Sequence, residues 1–176
     1  NIVGQKIYAV DKLGSLYVSE VDTPRFIKVP ETLFEGASLV KTKEEELFIN
    51  GEKSVKNYNP EAETTEETLV ENSGIFFPYL SSLYQIEGNL IKKYAIGENS
   101  AKGAVWAEST DFANAKDMAI SVSIYILTGD DNVIRYTSGI KDTFAVKGLD
   151  TPFQGATKLE TNWSWRNMYV ADTGNK

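Results

Sequence analysis

The residues of this 176-residue chain that can take part in chemistry are chiefly carboxylates, because the sequence holds neither histidine nor cysteine. Without imidazole or thiolate there is no Ser-His-Asp or Cys-His nucleophilic triad, no zinc site built on nitrogen or sulfur, and no disulfide. Packing alone has to hold the fold. Oxygen donors remain, and they suit hard cations such as calcium or magnesium. Asp130, Asp131 and Asp172 sit in clusters of Asp, Asn and Gly that read as hairpin turns, which makes them the candidate metal ligands. The competing and commoner use of Asp in such a turn is to hydrogen-bond its own backbone. No organic cofactor is implied.

A second group of side chains suits recognition. Trp163-Ser164-Trp165-Arg166 combines two indoles and a guanidinium on an expected loop. These types are enriched at interface hot spots, and indole faces also stack on sugars. Trp163, Trp165 and Arg166 are therefore the candidate binding residues for a protein, peptide or glycan, set against the simpler expectation that both indoles fold back over a sheet edge. Asn162-Trp163-Ser164 also satisfies the glycosylation pattern, which has meaning only in a eukaryotic secretory setting. Gly51-Glu52-Lys53-Ser54 lacks a Gly directly before the Lys and a second Gly five residues earlier, so it reads as a turn and not as a phosphate loop. Paired carboxylates serve glycosidases and lactonases, but no spacing here selects a pair. Glu44-Glu45-Glu46 and the stretch from Glu61 to Glu67 are expected to be solvated loops.

Composition narrows the partners. Hydrophobic residues make up 41% and charged residues 24%, values that suit an ordered domain and not a disordered chain. A net charge of −7 repels phosphate backbones, so nucleic acid is excluded as a partner. No apolar run approaches the roughly 18 residues needed to span a bilayer, and the first residues lack the basic and apolar regions of a signal peptide. The chain opens on Asn1 and not on Met, which raises the expectation of a processed or excised piece, with the compartment open but leaning extracytoplasmic or cell-surface.

The elements that must position these residues show in a repeat. Ile7-Tyr8, Leu47-Phe48, Leu83-Tyr84, Ile124-Tyr125 and Met168-Tyr169 recur at intervals of about 36 to 44 residues, close to the length of one four-stranded propeller blade. Each pair is followed by a cluster of Asp, Asn and Gly, whose tolerance of left-handed backbone suits a hairpin. Beyond four of the turns comes a second strand ending in Tyr17, Tyr58, Tyr94 or Tyr136. Third runs at Phe26 to Val29, Leu69-Val70, Ala104 to Trp106 and Phe144 to Val146 read as outer strands. Runs opened by small residues, at Gly36 to Val40, Ala113 to Ala119 and Gly155 to Leu159, read as inner strands, where neighbouring sheets leave little room. Alternation at Ile7, Ala9 and at Ile124, Ile126 favours strands throughout, with Phe112 to Ile120 the best helical alternative. The expected fold is all-β, a propeller of antiparallel four-stranded blades, with repeats at about 1–35, 36–72, 73–111, 112–151 and a partial 152–176.

The stretch Tyr169-Val170-Ala171-Asp172-Thr173-Gly174-Asn175, with Pro152 and Gly155-Ala156 upstream, resembles the NHL family of β-propellers over about twenty-five residues. The resemblance implies blade architecture; elsewhere the signature is absent. With the small-residue run taken as strand one and the aliphatic-aromatic run as strand two, the chain opens near strand two of one blade and ends in strand two of a later one, so part of a larger propeller is expected, with further blades or another chain covering open ends. A four-blade ring with an overlapping tail is the alternative. The expected function is a non-catalytic interaction or ligand-binding module of a larger surface or envelope protein; the alternative is a carboxylate- and divalent-metal-dependent hydrolase of the lactonase type.

Overall fold

A computed structural model of the chain describes all residues except 1, 4, 24, 38–39, 44, 53, 69, 71–73, 98–102, 162–163, 165–166 and 175–176. Its described residues form four four-stranded sheets and one two-stranded sheet, each with its strands in chain order. The first sheet holds β1 (Ile2–Val3), β2 (Lys6–Val10), β3 (Ser15–Glu20) and β4 (Ile27–Leu33). The second holds β5 (Val40–Lys43), β6 (Glu46–Asn50), β7 (Val55–Asn59) and β8 (Thr64–Thr68). The third holds β9 (Phe76–Tyr79), β10 (Ser82–Glu87), β11 (Leu90–Ala95) and β12 (Ala104–Glu108). The fourth holds β13 (Ala115–Ile120), β14 (Ile124–Thr128), β15 (Val133–Thr137) and β16 (Ile140–Lys141), and the fifth pairs β17 (Ala156–Glu160) with β18 (Tyr169–Asp172).

Short turns force this antiparallel meander, since a parallel partner would need a long crossover. Gly14, at φ +84°, closes the β2–β3 hairpin in a conformation that a Cβ would strain, and that Cβ would run into the Phe34 carbonyl. The second strand of the second sheet is deeply set: Leu47, Phe48 and Ile49 of β6 are all fully buried, so side chains on both sides of the strand are out of water. Such burial contributes roughly 1.5–3 kcal/mol for each large apolar side chain.

The chain divides into two compact units: 1–74, 80–82 and 94–103 form one, and 75–79, 83–93 and 104–176 the other. The first has a core around Leu16, Phe34, Leu47, Ile49 and Tyr58. The second has a larger one around Phe77, Ile91, Phe112, Met118, Ile126, Leu127 and Leu159.

Several expectations about strand placement are corrected. Ile2–Val3 pairs with Lys6–Ile7, so a first strand precedes the pair Ile7-Tyr8. Of the expected run Leu69-Val70, Leu69 lies outside the described residues and Val70 is in no strand; the outer strand of the second sheet is Thr64–Thr68, inside the acidic stretch read as a loop. Its β-branched Thr residues pair with β7 from Val55↔Thr68 to Asn59↔Thr64, and an edge strand accommodates polar side chains in water. The inner strand of the third sheet, β9, is marked by no small-residue run at all. Phe112 to Ile120 divides: Thr110–Asn114 is a 3-10 turn capped by the Ser109 side chain, and Ala115–Ile120 is strand. The run Phe144 to Val146 lies outside the ladder, because the outer strand of the fourth sheet ends at Lys141.

Candidate functional site

The second unit carries an open cleft of about 620 Å³, a size usual for ligand sites. Four segments line it. The β14–β15 hairpin gives Thr128, Asp130, Asp131 and Asn132; β15 gives Val133 and Ile134; the chain after β16 gives Phe144 to Val146; and the lead-in to β17 gives Leu149, Pro152 and Phe153. Asp111 and Lys141 also line it.

Each carboxylate in the cleft is held by named donors. Asp130 Oδ1 accepts from the Thr128 hydroxyl at 2.5 Å, and its Oδ2 accepts from the Asn132 side-chain amide at 2.7 Å. Asp131, in left-handed backbone at φ +61°, reaches out of its own turn: Lys116 Nζ donates to Oδ1 at 2.5 Å and the Gly155 N–H to Oδ2 at 2.8 Å. Asp111 Oδ2 accepts from Lys141 Nζ at 2.8 Å and from the Tyr136 hydroxyl at 3.0 Å. These bonds favour the ionised form and hold the acids below the usual carboxylate range. For Asp130 the Thr128 hydroxyl is the main cause, for Asp131 the Lys116 ammonium, and for Asp111 the Lys141 ammonium. All three are fixed anions at neutral pH, whereas a general acid or base works best with a value near the operating pH.

Of the candidate metal ligands, Asp130 and Asp131 share this cleft. Asp172 is tied to Asp131 through the lead-in to β17: its Oδ2 accepts from the Gln154 N–H at 3.0 Å, next to the Gly155 amide held by Asp131. Asp172 Oδ1 closes its own turn on the Gly174 N–H at 3.1 Å. Two hairpin carboxylates thus hold two consecutive amides at the start of the fifth sheet. Among the described residues no three acidic side chains converge as a cation cage would require. The candidate binding residues Trp163, Trp165 and Arg166 lie outside the described residues.

Three further side chains matter here that the sequence reading did not single out. Asp111 follows the capping Ser109, a Ser-x-Asp pattern that marks a turn start but not its distant partners. Phe153 precedes the last inner strand as Phe112 precedes β13. Asp117, buried in β13, accepts the Leu159 N–H of β17 at 2.9 Å and so stitches two sheets together. No local signal distinguishes it from any other strand Asp.

No protein-family model matches the chain, and no curated protein matches its sequence. Solved structures do match its shape. PorZ, described as an essential bacterial surface component of the type-IX secretion system of Porphyromonas gingivalis, superposes with a TM-score of 0.65 at 10% identity, over 94% of this chain and 28% of its own. Virginiamycin B lyase from Staphylococcus aureus gives 0.61 at 12% identity, over 90% of this chain and 58% of its own. The computationally designed Ika8 protein gives 0.59 at 10% identity, over 98% and 57%. The fold is β-propeller-like, built of four-stranded antiparallel sheets. This chain spans under three-fifths of the length of each of these three proteins.

Proposed function

We propose that this chain is a non-catalytic recognition module that binds a protein, peptide or glycan, and that it serves within a larger surface or envelope protein. The observation that carries the reading is the cleft of the second unit: a mixed lining of apolar side chains and charged groups held in one protonation state offers shape and fixed charge, which is what binding needs. The likeness to PorZ, a bacterial surface component, supports the setting. The likeness to a lyase means that fold by itself does not choose between binding and catalysis. The NHL-type assignment rests on the stretch from Tyr169 to Asn175, and Trp163, Trp165 and Arg166 are proposed as contact residues in addition to those of the cleft.

The test is capture from peptide and glycan arrays by the chain and by two variants, Phe153→Ala in the cleft and Trp163→Ala/Trp165→Ala/Arg166→Ala. Loss of capture by either variant assigns the surface. Unchanged capture by both removes these residues, and chemical conversion of the captured ligand overturns the non-catalytic reading.

A further inference from the structure

The fourth sheet departs from the other four-stranded sheets at its outer edge, where the cleft lies. Its outer strand β16 is 2 residues long, against 7 in β4, 5 in β8 and 5 in β12. Along its inner side β15 pairs with β14 from Ile124↔Tyr136 to Leu127↔Val133. Along its outer side the ladder holds Tyr136↔Lys141 and Thr137↔Ile140, and one bond beyond them joins the Asp142 N–H to the Arg135 carbonyl at 3.1 Å.

Backbone direction alternates along an antiparallel strand. The Asn132 carbonyl accepts from the Thr128 N–H at 2.9 Å, so residues 132, 134 and 136 address β14. Arg135 addresses the outer side, and Val133 does too. The outward N–H and C=O of Val133 have no ladder partner among the described residues.

Beyond Asp142 the chain leaves the ladder. The Phe144 N–H bonds locally to the Asp142 carbonyl at 2.9 Å, and Phe144 and Val146 pack on the apolar core. The cleft is lined both by Val133 and Ile134 of β15 and by this departing segment. The edge of β15 at Val133 is left unpaired with an apolar lining beside it, although Val133 as a whole is only 5% exposed and is reached through the cleft.

Charge selects the occupant. Asp111 and Asp131 already hold Lys141 and Lys116. Asp130 is exposed and hydrogen-bonded to neutral groups, the Thr128 hydroxyl and the Asn132 amide, and feels Lys116, which is paired with Asp131, only at longer range. We propose that the cleft is a strand-addition site for an extended partner segment that alternates basic and apolar residues. The partner's main chain pairs with β15 at Val133, its apolar side chains meet Phe144 and Phe153, and a cationic side chain meets Asp130. The proposal deepens the recognition reading above and rests on it.

The experiment uses three end-blocked heptapeptides: one of alternating Arg and Val, its Glu and Val counterpart, and the first peptide N-methylated along one edge. Amide exchange followed by NMR reads Val133 against Ile134 and Tyr136 on the same strand, and calorimetry reads affinity. The expected result is a Val133 amide that exchanges faster than its two neighbours in the free chain and becomes protected only by the unmethylated Arg-Val peptide. Asp130→Asn weakens that binding about fivefold, less at high salt. A Val133 amide already protected in the free chain overturns the proposal, as does equal binding of the methylated or acidic peptide. Capture of a glycan with none of the peptides bound overturns strand addition and leaves the recognition reading standing.

Discussion

In the second sheet Phe34, from the segment before β5, stands edge-on to Tyr58 of β7 with ring centres 6.2 Å apart. In the fourth sheet Phe112, from the turn before β13, leans on Tyr136 of β15 at 4.9 Å. Both Phe side chains are fully buried, and both precede an inner strand and close on the third strand of the sheet they introduce. The outer edges of the two sheets differ. β8 pairs with β7 over five residues, whereas β16 stops after two.

The stop has a local cause. Arg135 Nε donates to both Asp142 oxygens at 2.8 Å, the Thr137 hydroxyl donates to the same carboxylate, and the guanidinium lies 5.0 Å from the centre of the Phe144 ring. Asp142 is held to the side chains of β15, and the chain after it turns to bury Phe144 instead of continuing the ladder. A shared aromatic contact makes each sheet; side-chain chemistry at the rim decides how far the sheet extends.

Removing that aromatic contact is expected to have the largest effect. Phe34→Ala and Phe112→Ala should each cost about 3–5 kcal/mol, read by urea unfolding. A large cost in one and a small cost in the other breaks the equivalence of the two sheets. A smaller effect is expected at Gly139, which lies in the turn just before the short β16 at φ +82°. An added Cβ there would lie 2.7 Å from the Trp106 carbonyl oxygen, so Gly139→Ala should cost at least about 1–2 kcal/mol. Wild-type stability in that variant would show that the β15–β16 turn is not under constraint.

Acid gives the smallest and most selective effect. Lys141 holds Asp111, Lys116 holds Asp131 and Arg135 holds Asp142 below their ordinary values. Folded values below the unfolded one mean a contribution complete above about pH 3.9 that is lost as pH falls through the depressed values. Amides of the fourth sheet should therefore lose exchange protection in that window before those of the second sheet. Simultaneous loss in both would show that these ion pairs do not separate the two regions.

The aromatic repeat and its hairpins were legible in the sequence because both depend on neighbours along the chain. Tyr8, Phe48, Tyr84 and Tyr125 all fall on second strands, followed by turns of Asp, Asn and Gly. Outer strands were less legible. Thr64–Thr68 lies in a stretch rich in Glu and Thr that reads equally well as a loop, and Phe144 to Val146 has strand composition without a strand partner. An edge strand is held by one neighbour and by water, so its own pattern is weak.

The site follows the same division. Asp130, Asp131 and Asp172 were recognisable as turn residues, and Asp130 does bond within its turn. That Asp131 reaches Lys116 and Asp111 meets Lys141 thirty residues on depends on how the strands of the fourth sheet align, and that Asp131 takes the Gly155 amide and Asp117 the Leu159 amide depends on how the fifth sheet packs beside it. Sequence by itself determined the repeat, the all-β character and the absence of imidazole and thiol chemistry. Tertiary structure alone decided which carboxylates hold cations and where a strand edge stays unpaired, because those outcomes turn on distances between segments far apart in the chain.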